Sequence, residues 1–171
     1  LISDASIVVL QNEIPHEANL SIAKFCQENK VKVLYNPAPA RETDIEMIPF
    51  CDFITPNEHE CSELFPDKKL EEIIKIYPNK MIVTLGVEGS IYYDGAAVQK
   101  IPAIKAEVVD TTGAGDTFNG AFAYAVSKGK EMNVALSFAT IASHLSVQRF
   151  GAQGGMPSLK EIKEHPGYEE I

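Results

Sequence analysis

Few cysteines, few basic residues and no long apolar run set the first limits on this chain. Cys26, Cys51 and Cys61 are the only cysteines. They show neither a CxxC pair nor His/Cys ligand spacing, which argues against a disulfide framework and a zinc site. Three reduced thiols in a cytoplasmic protein is the expectation, with Cys26 and Cys51 in or near apolar runs. No apolar stretch approaches the roughly 20 residues that span a bilayer, so no membrane partner is expected. The opening Leu1 to Leu10 carries Asp4 and no basic cluster, unlike a signal peptide. It also lacks an initiator Met, which fits a fragment or a processed product. Lys and Arg number 15 against 24 Asp and Glu, a formal net charge of −9. Such a surface repels phosphate backbones, so nucleic acid is not an expected partner. A small nucleotide is still allowed, because backbone amides and a bound cation reverse the field locally.

What is present describes a globular α/β protein. The 171 residues are 45% hydrophobic and 23% charged, ordinary values for a chain that buries a core. Strand-like runs at Ser6–Leu10, Val31–Tyr35, Asp52–Thr55 and Met81–Leu85 alternate with helical spacing over 18–27, 58–64 and 69–76. Residues 90–93 and 97–99 read as a hairpin around Asp94-Gly95. Beyond Val109 a glycine-rich loop at 111–115 opens a long helix to about Ser127. A second helix runs from about Asn133 to Val147, and 150–157 reads as a loop before a last helical stretch from Ser158. The alternation predicts a largely parallel central sheet flanked by helices. With no repeat, low-complexity tract or linker, residues 1–171 are expected to form one domain.

Ligands in such sheets sit beyond the carboxyl ends of the strands. That singles out 11–15, 36–39, 55–60, 86–89 and 111–116, where nearly all the chemically interesting residues fall. The strongest signal is DTTGAGDTFNG at 110–120. Gly113 and Gly115 flank Ala114 where a helix begins, and a helix start offers unpaired N–H groups to an anion. Asp116 is either a carboxylate that caps that helix or a base beside an anion hole; spacing alone favours the cap.

The string resembles the C-terminal signature of the ribokinase-like (PfkB) carbohydrate kinases over its whole length. QNEIP (11–15), NPAPA (36–40), PNEHE (56–60), VTLGVEG (83–89) and RFGAQGGMP (149–157) resemble family segments in the same order. The resemblance implies a three-layer fold and phosphoryl transfer from ATP to the primary hydroxyl of a sugar. NPAPA with QNEIP points to D-ribose. Asp116 is implied to be the general base and to meet the substrate, with Gly113, Ala114 and Gly115 as the anion hole. A nearby anion hole would keep that carboxyl ionised. Asn57, Thr84, Gly86, Gly89, Gly115 and Thr140 are implied ATP contacts, and Glu13 a sugar contact. Glu60 is implied to organise Mg²⁺ through water, which suits the sparse protein ligation of nucleotide-bound Mg²⁺. Asp110, Thr112, Ser146, Arg149 and Gly151 are implied to hold K⁺ as a monovalent activator.

Each assignment has a plainer reading. Asn57 with Glu60 fits a capping box, TLGxxG is an ordinary turn, and 150–157 a flexible connection. Thr140 stands where many relatives have Asn, and Gly155 where relatives can offer Ser. His144 is expected to be a packed histidine rather than a ligand. The family also implies a preceding portion, with a glycine-rich sugar-binding segment and a small β-sheet that serves as lid and often as dimer interface. The whole protein is thus expected to be a homodimer, and the isolated chain is expected to be inactive. Another PfkB-family sugar or nucleoside kinase and a non-catalytic ATP-binding remnant are the alternatives. A dinucleotide-binding module fails, because no G-x-G-x-x-G follows the first strand.

Overall fold

Runs rich in β-branched and aromatic residues fit pleated, half-buried positions, and they form the strands of the computed structural model, which describes residues 1–168. Two compact units result. In the first, Leu1–Gly86 with Ser90–Lys100, β1 (Ile7–Gln11) lies parallel to β2 (Lys32–Asn36), and β2 parallel to β3 (Phe53–Ile54). The register sets Val9 opposite Leu34 and Leu34 opposite Phe53. Isolated parallel bridges, Ile54 to Met81 and Asn57 to Thr84, lead on to β4 (Ile82–Thr84). There the direction changes: β4 pairs antiparallel with β5 (Ser90–Tyr93), and β6 (Val98–Ile101) lies beside β5. The largely parallel sheet therefore carries an antiparallel addition, a common arrangement in α/β folds.

Around the sheet of this unit lie α1 (His16–Glu28), α2 (Glu58–Leu64) and α3 (Leu70–Ile76). Val33, Leu34, Tyr35, Ile54, Ile73, Ile74, Met81, Ile82 and Val83 are almost fully buried. Each such apolar side chain contributes about 1.5–3 kcal/mol relative to exposure. A 3₁₀ segment at Glu42–Phe50, with Pro49 inside it, packs on α1. No apolar period announces it in the sequence.

The second unit holds Val87–Gly89 and the chain from Ile101. Its frame is a pair of packed helices, α4 (Ala114–Ser127) and α5 (Met132–Ser146). The rings of Tyr124 and Phe138 stack between them at 5.7 Å. The stretch 150–157, expected as a loop, contains a short helix, α6 (Ala152–Gly155). Gly151, at φ 84°, turns the chain into it, and the Gly155 N–H closes on Gly151 O at 2.8 Å. A last helix, α7 (Leu159–Lys163), starts at Ser158, whose side chain and that of Glu161 cap each other's backbone N–H. No helix among the described residues is long and apolar enough to cross a membrane. The three cysteines are buried and unpaired. Burial pushes the Cys51 thiol up to about 12 and that of Cys61 to about 11, so neither is a reactive thiolate.

Candidate active site

The first unit carries five of the expected site residues: Glu13 beyond β1, Asn57 and Glu60 beyond β3, Thr84 at the end of β4 and Gly86 just after it. Asn57 and Glu60 form the capping box of α2. Asn57 N–H donates to Glu60 Oε2 at 2.8 Å, and Glu60 N–H donates to Asn57 Oδ1 at 2.8 Å. Burial raises the Glu60 carboxyl above its ordinary range, while the Asn57 N–H pulls it down. Thr84 lies beside them: its N–H donates to Pro56 O at 3.0 Å, and it bridges in parallel to Asn57. One carboxylate oxygen of Glu60 is used by the cap and the other is left as an acceptor. A single carboxylate oxygen next to an amide fits a water-mediated Mg²⁺ contact and cannot make a cage. No group of three or more His, Cys, Asp or Glu among the described residues is placed to hold a metal by itself.

Glu13 is exposed and directly follows a residue that is tightly held. Asn12 is 2% exposed, with both amide hydrogens and its oxygen engaged. Its Nδ2 donates to Pro39 O (2.8 Å) and Asp44 Oδ2 (2.6 Å), and its Oδ1 accepts from Tyr35 OH (2.7 Å). Its N–H donates to Ala38 O at 3.2 Å. The Ala38–Pro39 peptide is cis. Arg41 closes the arrangement, with Nη2 donating to Asn12 O and Nη1 to Ile14 O. Sequence reasoning missed these partners. Only NPAPA itself hinted that the 36–40 loop had work to do.

In the second unit, Gly113 is the N-cap of α4 at φ 76°, with no side-chain cap. A Cβ there would lie 2.9 Å from the Ala152 Cβ, so glycine serves a close approach as well as a turn. Asp116 is exposed in the first turn of the helix, three residues after the N-cap. Its charge there complements the helix dipole. Of the residues expected to form an anion hole, Ala114 donates its N–H to Thr111 O at 3.1 Å. The first helical bond runs from Thr117 N–H to Gly113 O at 2.9 Å. Gly115 N–H therefore precedes the helical ladder, and a Cβ on Gly115 would meet nothing within 4 Å. An anion has room to approach the backbone there.

Asp110 has both carboxylate oxygens occupied. Oδ1 accepts from Thr112 N–H (2.9 Å) and Oγ1 (2.7 Å), and Oδ2 from Gly151 N–H (2.9 Å). Those bonds, the Thr112 hydroxyl first, hold its carboxyl below the usual range. The buried Ser146 turns its hydroxyl back to Ser143 O at 2.8 Å, and its carbonyl accepts from Arg149 N–H at 3.3 Å. A Cβ on Gly155 would lie 2.7 Å from Ser146 O and 3.7 Å from Arg149 O. Two carbonyls thus converge on a place only glycine leaves open, and carbonyl oxygens suit a hard monovalent cation. The Arg149 side chain is engaged elsewhere, with Glu161.

Thr140 is buried and its hydroxyl bonds back to Leu136 O at 2.9 Å, within its own helix. His144 is partly buried, with Nδ1 3.2 Å from Ile104 O and its ring edge-on to His165 at 5.3 Å. That matches a packed histidine. Gly89 sits at φ 99°, where a Cβ would overlap Ile101 O at 2.0 Å.

Known proteins resemble this chain throughout. A ribokinase of Lactococcus lactis is 66% identical over 162 residues, covering 95% of this chain and 54% of that protein. The structure of Thermotoga maritima ribokinase matches with a TM-score of 0.83 at 37% identity, over 95% of this chain and 57% of that one. Arabidopsis thaliana ribokinase, solved with ribose and ATP, matches with a TM-score of 0.84 at 35% identity, over 94% and 55%. The chain spans about half the length of the relatives it matches. Residues 1–159 match the pfkB family carbohydrate kinase profile, and the chain belongs to that family.

Proposed function

We propose that residues 1–171 act as the C-terminal nucleotide-binding and catalytic part of one ribokinase-like domain, which transfers a phosphoryl group from ATP to the primary hydroxyl of D-ribose. The observation that carries this is the start of α4: a left-handed Gly113, an open backbone at Gly115, and Asp116 in the first helical turn of the DTTGAGDTFNG string. Asp116 takes the proton from the sugar hydroxyl as its oxygen attacks the γ-phosphorus. The backbone of 113–115 receives the charge that develops on the transferred group. Phosphoryl transfer depends mainly on positioning and charge stabilisation, which this arrangement supplies.

Asn57, Thr84, Gly86, Gly89, Gly115 and Thr140 bind the nucleotide in this reading. The Thr140 hydroxyl is already bonded to Leu136 O, so its contact is through its methyl face rather than a new hydrogen bond. Glu60 holds Mg²⁺ through water, and the ion supplies charge neutralisation when bound. Glu13 contacts the sugar. Asp110 and the carbonyls of Thr112, Ser146, Arg149 and Gly151 serve K⁺, Asp110 by fixing the loop through Thr112 and Gly151. Resemblance to the family supports a cytoplasmic, homodimeric full-length protein.

The test is ADP release by the protein that carries this chain, with D-ribose as acceptor and the product identified by ³¹P NMR. Ribose 5-phosphate is the expected product. Turnover with a nucleoside and none with ribose would replace the substrate assignment.

A further inference from the structure

Arg41 lies outside every motif quoted above, yet its guanidinium reaches both sides of Glu13. Nη2 donates to the carbonyl of Asn12 and Nη1 to that of Ile14, the residues directly before and after it. The backbone of Arg41 is itself fixed: its N–H donates to Asp44 Oδ2 at 2.7 Å, and its carbonyl accepts from Asp44 N–H at 2.9 Å. Asp44 is 1% exposed, and the same Oδ2 also takes the Asn12 amide at 2.6 Å. The amide of Asn12 cannot be reversed without turning its oxygen toward Pro39 O and Asp44 Oδ2, so Tyr35 OH, bonded to Oδ1, sets its direction.

Such a network is costly to build. It buries a carboxylate, an amide and a phenol, and leaves Asp44 Oδ1 without a hydrogen-bond partner. Buried groups left short of partners lower stability. An apolar loop attachment would hold 11–15 to 36–44 without that cost. What the polar network adds is direction: the two guanidinium bonds end on the carbonyls either side of Glu13, whose own side chain faces solvent, and the remaining bonds fix Asn12 and Arg41.

We infer that Arg41, held by Asp44 and Asn12, is a positioning residue for Glu13 and thereby sets how tightly the sugar is held. Arg41 acts through the backbone of the 12–14 segment and does not touch the sugar. A planar fork can donate to two carbonyls at fixed separation, and an ammonium group cannot reproduce it. This rests on the reading of Glu13 as a sugar contact.

The experiment is a double-mutant cycle in the protein that carries this chain, using Glu13→Ala, Arg41→Ala and the pair, read as KM for ribose and KM for ATP. Arg41→Ala is expected to raise the ribose KM about tenfold through misplacement of Glu13, with ATP KM changed by less than about twofold. On the Glu13→Ala background the same change is expected to add almost nothing, since interacting residues are non-additive. Full additivity means that Arg41 acts independently of Glu13, which overturns the inference while the sugar contact stands. An unchanged ribose KM in Glu13→Ala removes the sugar contact itself, and the inference with it. If Arg41→Ala does not fold, Arg41→Lys serves; a Lys variant with wild-type ribose KM would also overturn the inference.

Discussion

Asp110 and Gly151 are joined across 41 residues by one hydrogen bond, from the Gly151 N–H to Asp110 Oδ2 at 2.9 Å. With Gly113 pressed against Ala152, that bond fixes the loop ahead of α4 onto the turn that opens α6. The glycine-rich loop is thus held by groups distant in sequence, and in the proposed reaction its position need not be re-established in each turnover. Preorganised donors of this kind avoid reorganisation at the moment of reaction.

Asp116→Asn in the protein that carries this chain is expected to lower turnover by about 10²–10⁴, the usual worth of general-base assistance. ATP affinity should stay within a few-fold, because the backbone of 113–115 is untouched. Steady-state kinetics with a separate ATP titration measure both. A mutant that keeps most of the wild-type rate would remove Asp116 from the mechanism.

Much of this was legible in the sequence. The strands announced themselves by short apolar runs and the helices by spacing, and 12–14 and 57–60 do follow strands, whereas 113–116, also expected after a strand, follows a stretch from 102 to 110 in which no strand forms. What stayed hidden depends on pairing at long range. The Asn12, Tyr35, Arg41 and Asp44 network joins positions separated by up to 32 residues, which no local period encodes. Helix α6 was missed because Gly-Gly in AQGG argues against a helix, whereas closure on Gly151 O stabilises a single turn. For Asp116 spacing alone favoured a cap over a base; the left-handed Gly113 takes the N-cap position and Asp116 lies in the first turn.

Gly89 and Gly86 should respond differently to alanine although both have positive φ. At Gly89 a Cβ overlaps Ile101 O at 2.0 Å and lies 2.6 Å from Ala103 N, both backbone atoms. Strain plus a backbone displacement is expected to cost more than about 2 kcal/mol. At Gly86 nothing lies within 4 Å, leaving the left-handed penalty of about 1 kcal/mol. Urea unfolding at unchanged m-value gives the comparison. Equal losses would mean that the close approach at Gly89 relaxes freely.

Stability should fall in acid. The Arg149 guanidinium and the N–H and hydroxyl of Ser158 hold the Glu161 carboxyl down, from an ordinary 4.5 to about 2. Asp110 is likewise held below its ordinary 3.8, by Thr112 and Gly151. Both folded values lie below the unfolded ones, so the contribution is complete above the unfolded values and is lost as pH falls toward 2. The thermal midpoint is expected to be level above about pH 5 and to drop below it. Glu161→Gln should flatten that drop, as differential scanning fluorimetry across pH 2.5–7 would register. An identical acid slope in the variant would assign the loss to other groups.

Potassium is expected to raise activity, and lithium not to replace it. The proposed site draws on the carbonyl oxygens of Ser146 and Arg149, both of which lie near Gly155. Gly155→Ala would push a methyl to 2.7 Å from Ser146 O, so the variant should need more potassium for half-activation. Equal rates with and without potassium in carefully purified buffers would remove the cation from the mechanism.

The 171-residue chain by itself should bind ATP–Mg²⁺ weakly and phosphorylate ribose at no useful rate. Every nucleotide residue assigned above lies within it: Asn57, Thr84, Gly86, Gly89, Gly115 and Thr140. For the sugar it offers Glu13 and Asp116, whereas the relatives it matches are about twice as long. In the family to which it belongs, the preceding portion is expected to orient the sugar ring and to exclude water. Orientation and exclusion supply several kcal/mol in reactions of this type, and each loss of about 1.4 kcal/mol slows turnover tenfold. Several orders of magnitude in rate should therefore be missing, while the nucleotide contacts stay largely in place. Calorimetric titration with ATP–Mg²⁺ tests the binding half, and coupled ADP release with ribose tests the rate. Brisk ribose-dependent ADP release by the chain alone would show that the sugar is held by residues of this half, with Glu13 and its Arg41 brace the first to examine.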